Sequence, residues 1–143
     1  MEQQPTKRSS IFLMELIIAI LFFSLAATVC VRVFVKSHSL EQESIQLNHS
    51  ISAATSVAEI FRSQEQPFLI LEKVYPDGIK LDNTYQFFYD KNWSLCDKET
   101  ASYTVSLKIT FDHSYEIADI QVTAADKCIY DLSVKKYTGL EDF

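Results

Sequence analysis

The residues of this chain whose types could do chemistry are three histidines, three cysteines and a scatter of carboxylates. His38, His49 and His113 lie far apart, and none has a metal-spaced Cys or His beside it. Ser37-His38-Ser39 and Asp112-His113-Ser114 set hydroxyls next to imidazoles, but neighbours in sequence point apart on a helix or strand, so neither is a triad. Asp77, Asp82 and Asp90 lack the spacing of a calcium loop. Two Gly in 143 residues leave no Gly-rich phosphate cradle. Cys30 sits in an apolar run and reads as a small apolar residue there. Cys96 and Cys128 form a candidate disulfide closing a loop of about 30 residues, which would stabilise by roughly 3–4 kcal/mol, against the alternative of two free thiols. No metal, cofactor or enzymatic activity is expected. A net charge of −6 argues against nucleic-acid binding.

One carboxylate stands apart from the rest. Lys7-Arg8-Ser9-Ser10 is followed by an apolar run over residues 11–31, interrupted only by Glu15 and free of Gly and Pro. As a helix this run spans about 31 Å, close to the thickness of a bilayer core. A charge near the centre of such a segment costs on the order of 2.5–3.5 kcal/mol, so it is rare without a use. Three readings of the run compete: a retained signal anchor, a secretory signal cut after Ala26 in Ser24-Leu25-Ala26, or a filament-subunit leader cut ahead of the apolar run. A secretory signal gains nothing from Glu15 and drops out. A first-turn acid favoured by the helix dipole is the plain alternative to a special role.

Ser10, Ile11-Phe12-Leu13-Met14-Glu15 and the apolar residues that follow resemble the N-terminal signature of type IV pilins and secretion pseudopilins. The resemblance implies cleavage by a prepilin peptidase between Ser10 and Ile11, with N-methylation of Ile11. It also implies that Glu15 pairs with the amino terminus of a neighbouring subunit during assembly. Gly usually stands where Ser10 is, and the helix-kinking Pro of many major pilins is missing from Val31-Arg32-Val33, which brings the chain nearer to minor pseudopilins. The implied partners are the membrane, other subunits, the peptidase and an assembly platform.

The remaining elements follow from pattern. Residues 1–10 read as a leader, 11–66 as one long helix (11–31 membrane, 32–66 amphipathic) and 67–143 as an extracytoplasmic β-domain. Lys7 and Arg8 against Glu2 make the leader basic and the remainder acidic, which places the N-terminus in the cytoplasm; Arg32 and Lys36 lie on the wrong flank for that rule. Leu40, Leu47, Ile51, Ala54, Ala58 and Phe61 form a one-sided helical stripe that Pro67 ends. The stripe suits a covering helix or a dimeric stalk equally well. Beyond it, the apolar run Phe68-Leu69-Ile70-Leu71 reads as a strand, Tyr75-Pro76-Asp77-Gly78 as a turn, and Asp90-Lys91-Asn92 as a hairpin tip. Residues 103–111 alternate cleanly, 117–124 less so, and in 128–137 either Ile129 or Tyr130 starts the inward set. Tyr85, Phe87, Phe88, Tyr89 and Trp93 read as core and hairpin packing. The expectation is α+β and pilin-like: a long N-terminal helix packed on an antiparallel sheet of four to five strands. The function expected is a structural filament subunit, with a membrane-anchored binding or sensor domain on a helical stalk as the alternative.

Overall fold

A computed structural model describes residues 6–139; residues 1–5 of the expected leader lie outside the described residues. Helix α1, Thr6–Ser63, runs through a stretch with neither Gly nor Pro. It contributes to two compact units, Met1–Glu43 and Ser44–Phe143. Among its described residues, 6–43, the first unit is helix alone. Its large side chains, among them Ile11, Phe22 and Phe34, are exposed throughout.

In the second unit the end of α1 is followed by α2, Pro67–Val74. The expected strand over Phe68-Leu69-Ile70-Leu71 is therefore helical. Pro67 occupies the first helical turn, where its missing N–H is not needed and its fixed φ favours the start. Leu71 is buried and Phe68 packs on the core, while Leu69 is exposed. That one-sidedness belongs to a helix, and a four-residue apolar run is too short to show its period.

The sheet is antiparallel throughout. Its strands are β1 Ile79–Leu81, β2 Thr84–Tyr89, β3 Leu95–Cys96, β4 Tyr103–Asp112, β5 Tyr115–Ala124 and β6 Lys127–Tyr137. The order is β1-β2-β4-β5-β6, with β3 following β1 along the same side of β2. Six strands exceed the expected four or five because β1 and β3 are only three and two residues long. The β2–β3 tip is held by the Asp90 carboxylate, which accepts from the N–H groups of Asn92 (2.8 Å) and Ser94 (3.0 Å). A bulge opposite Val122 and Thr123 shifts the register of β6, so Tyr130 and not Ile129 pairs with the inward Val122.

One face of this sheet is covered by α1. Ala53, Ala54, Val57, Ala58 and Phe61 join Tyr85, Phe87, Val105, Leu107, Ile109, Ala118, Ile120, Val122 and Val134 in a single core. The small alanines let the helix backbone approach the sheet, and Phe61 fills the space at its end. Ser50 is fully buried on this face, its hydroxyl satisfied by the Gln46 carbonyl at 2.8 Å. The buried face is thus turned from the expected stripe: Ala54, Ala58 and Phe61 are inside, whereas Leu40, Leu47 and Ile51 are exposed.

At the α2 end Tyr75 stacks on Phe87 with centroids 3.8 Å apart, and its carbonyl accepts a 2.8 Å bond from the buried Tyr85 hydroxyl. A Cβ at Gly78 would collide with the Tyr85 ring and hydroxyl, so this turn needs glycine for close approach.

Two predictions follow from this packing. Phe61→Ala removes a fully buried aromatic and is expected to cost about 3–5 kcal/mol of unfolding free energy in urea titration of the detergent-solubilised chain. Burial holds the hydroxyls of Tyr75, Tyr85 and Tyr89 above their ordinary value of 10.0. The folded state therefore keeps protons that the unfolded chain releases near pH 10. Stability should be level below that pH and fall as pH rises from about 10 to 11, read as a lower urea midpoint.

Candidate assembly surfaces

Glu15 lies on α1 among exposed apolar neighbours, with no ion pair or hydrogen bond among the described residues. Ser10 and Ile11 are exposed on the same helix, Ile11 at 66 %. α1 contains a segment long and apolar enough to cross a membrane, with mean hydropathy 2.5 in its most apolar window and nothing in it buried. Burying a carboxylate in an apolar environment is costly unless it is paired.

Leu47 and Ile51, with Ile45 nearby, remain exposed beside the buried face of α1 in the second unit. Leu47 and Ile51 are large and apolar, on a helix whose neighbouring face already covers the sheet. A second apolar surface is thereby left over on the same helix.

A groove of about 430 Å³ opens where the link after α1 and the helix α2 meet the sheet. Pro67, Phe68, Leu69, Ile109 and Phe111 supply apolar walls, and Glu65, Glu72, Glu116 and Lys80 supply the charges. Lys80 lies 3.6 Å from Glu72 and 5.2 Å from the Phe68 ring centroid. Glu65 and Glu116 have no ion pair among the described residues. Nothing in the sequence pattern signalled this groove, because its walls come from segments about 45 residues apart that only the fold brings together.

The residues that first suggested chemistry are dispersed. His38 approaches Glu41 at 3.9 Å, His49 stacks on Trp93 at 5.1 Å, and His113 contacts Asp112 at 2.7 Å on the exposed β4–β5 tip. Trp93 also stacks on Tyr103 at 4.1 Å, so the hairpin aromatics pack the β2–β3 tip onto the helix and sheet. No cluster of three metal-ligating side chains exists among the described residues. Lys136 has a structural task that sequence reading missed: its ammonium donates to the carbonyl of Gln64 at 2.8 Å and to that of Phe61 at 3.5 Å. A cation there satisfies carbonyls that the end of α1 leaves open and complements the helix dipole.

The candidate disulfide is not formed: Cys96 and Cys128 are both free thiols. Their placement explains why. Cys96 pairs with Phe88, Phe88 with Thr104, Thr104 with Thr123, and Thr123 with Cys128, so the two cysteines end one row across five strands. Four strand spacings amount to about 19 Å, far beyond the roughly 7 Å that a disulfide spans between Cα atoms.

No family model, curated protein sequence or solved structure matches this chain. Its surfaces have to speak for themselves, and the thiols offer a direct check. Under non-reducing denaturing conditions an alkylating reagent is expected to add to all three cysteines, Cys30 included. A mass lighter by two hydrogens, with two thiols protected, would contradict the row geometry.

Proposed function

We propose that this chain is a structural subunit, of the minor pilin or pseudopilin kind, of a type IV pilus-like or type II secretion-like filament. The observation that carries the reading is Glu15, without an ion pair among the described residues, within an apolar helix that none of them covers. Such a helix has two suitable environments, a bilayer and a bundle of equally apolar helices. A subunit that moves from one to the other exchanges equivalent surroundings and does not expose the segment to water.

On this reading the basic leader stays in the cytoplasm and the β-domain lies outside. The peptidase cuts between Ser10 and Ile11, and the freed amine of Ile11 is methylated. Glu15 then sets the register by pairing with the amine of a neighbour, which supplies the partner its carboxylate lacks. The exposed Leu47 and Ile51 flank adds a contact surface outside the membrane. The surfaces have a binding character throughout, and no catalytic, cofactor-binding or nucleic-acid-binding role is assigned. The same exposed flank also suits a single-pass sensor with a dimeric helical stalk. That alternative requires neither cleavage nor Glu15.

Two measurements separate the readings. Mass and N-terminal sequence of the membrane-extracted chain are expected to give Ile11 as the first residue, with an added methyl group; an intact Met1 would favour the anchored sensor. Glu15→Ala and Glu15→Leu are expected to insert in the membrane normally and to lose incorporation into filaments by at least about tenfold, the ratio that roughly 1.4 kcal/mol of pairing supplies. Unimpaired incorporation of both variants would remove Glu15 from assembly.

A further inference from the structure

The peptide bond assigned to the peptidase lies inside a helix. α1 begins at Thr6, ahead of the Ser10–Ile11 bond, and runs through that bond without a break. In an α-helix the Ser10 carbonyl accepts from the N–H of Met14, and the carbonyls of Lys7, Arg8 and Ser9 accept from Ile11, Phe12 and Leu13. Hydrolysis adds water across the amide and leaves a carboxylate on Ser10 and an amine on Ile11. The attack needs an open face on the carbonyl carbon and donors aimed at its oxygen as that oxygen takes up charge. The helix occupies the oxygen with its own N–H. The bonds that cross the cut therefore have to open first.

The two sides of the bond differ in how readily they open. Ahead of it, the first turn of α1 carries no acid and includes Arg8, a charge that the helix dipole disfavours at this end. Ser9 and Ser10 follow, both exposed. Serine favours a helix less than alanine does, because its hydroxyl competes for backbone groups. Beyond the bond the apolar run begins. In lipid a freed N–H or C=O finds no water, so the run keeps its helix. A break deeper in the run would strand those groups. A break at Ser9-Ser10 leaves them beside the leader's bases, at the headgroup level, where water and phosphate oxygens accept them. The join between the two regimes coincides with the scissile bond.

We propose that Ser9 is a positioning residue for this cleavage: its weak helix preference sets how often the Ser10–Ile11 bond leaves α1 and becomes open to the peptidase. Ser9 contributes no atom to the bond that is cut, so it acts through the backbone beside it. Position 10 bears on the same opening, and serine there holds the helix more firmly than glycine would. A change at Ser10 also alters what the peptidase touches, which makes Ser9 the cleaner probe. This role rests on the subunit reading and adds to it a step that precedes the cut.

Substitutions at Ser9 of the full chain in its native host test the role, with Ser10, Ile11 and Glu15 kept. Conversion of the Met1 form to the Ile11 form is followed by mass after a pulse of synthesis. Uncleaved chain from cells without the peptidase is placed in vesicles, and hydrogen exchange is read over residues 9–14. Ser9→Gly is expected to speed both cleavage and exchange about twofold, and Ser9→Ala to slow both about twofold. Ser9→Asn, with a helix preference close to that of serine, is expected to stay near the wild-type rates. Ser37→Gly, on the same helix beyond the apolar run, is expected to change neither.

A wild-type chain that is cut while all Ser9 variants are cut at one rate overturns the positioning role and leaves the subunit reading standing. If either readout follows helix preference without the other, the role is overturned as well, because opening then does not set the rate. An order set by size, with Ala as fast as Gly and Asn slow, assigns Ser9 to direct contact with the peptidase and overturns it too. A wild-type chain that keeps Met1 in the presence of the peptidase removes both readings.

Discussion

An apolar helix that its own chain does not cover is the constraint from which the rest of this molecule follows. From Ile11 to Val35 the large side chains of α1 face outward. At roughly 1.5–3 kcal/mol for each large side chain, keeping them in water would cost tens of kcal/mol. A domain of this size has a net stability of about 5–15 kcal/mol, so the sheet cannot compensate for such exposure. The helix has to be buried in lipid or in other helices. Glu15 adds a second requirement, because whatever covers the helix must also supply a partner for a carboxylate.

The second unit meets its own version of this problem internally. A sheet with one apolar face needs a lid, and α1 supplies it through Ala53, Ala54, Val57, Ala58 and Phe61. Covering the sheet uses one side of the helix. Leu47 and Ile51 fall on the flank next to it and stay exposed. The helix thus covers the sheet with one face and leaves a second apolar flank exposed, and the turned stripe is the physical trace of that division.

This division explains what could be read from the amino acids. The strands at 103–111 and 117–124 were legible because inward and outward residues alternate with period two, and their burial follows that alternation through Ile109 and Val122. The long helix was legible from the lack of Gly and Pro and from its one-sided apolar pattern. The ambiguity between Ile129 and Tyr130 marks a bulge, which hands the inward position to Tyr130 and breaks the period at that point. The helix over 67–74 escaped because its apolar run is shorter than two turns. The separation of Cys96 and Cys128 escaped for a different reason: it depends on strand order, and residues at two strand ends are neighbours or strangers according to pairings that no local pattern specifies.

The groove belongs to that last class. Glu65, Phe111 and Glu116 have nothing in common in sequence, and only the packing of α2 against the sheet makes them neighbours. Arg32 and Lys36, by contrast, were visible from the start as charges that the membrane rule did not explain. Burying an apolar wall gives association but little direction, since any apolar helix would serve. Unpaired charges at fixed positions add direction, because a wrong register leaves a carboxylate or an ammonium desolvated and alone. Within the apolar run over residues 11–31 the one charge of this kind is Glu15, whose carboxylate marks a position along a surface that is otherwise uniformly apolar.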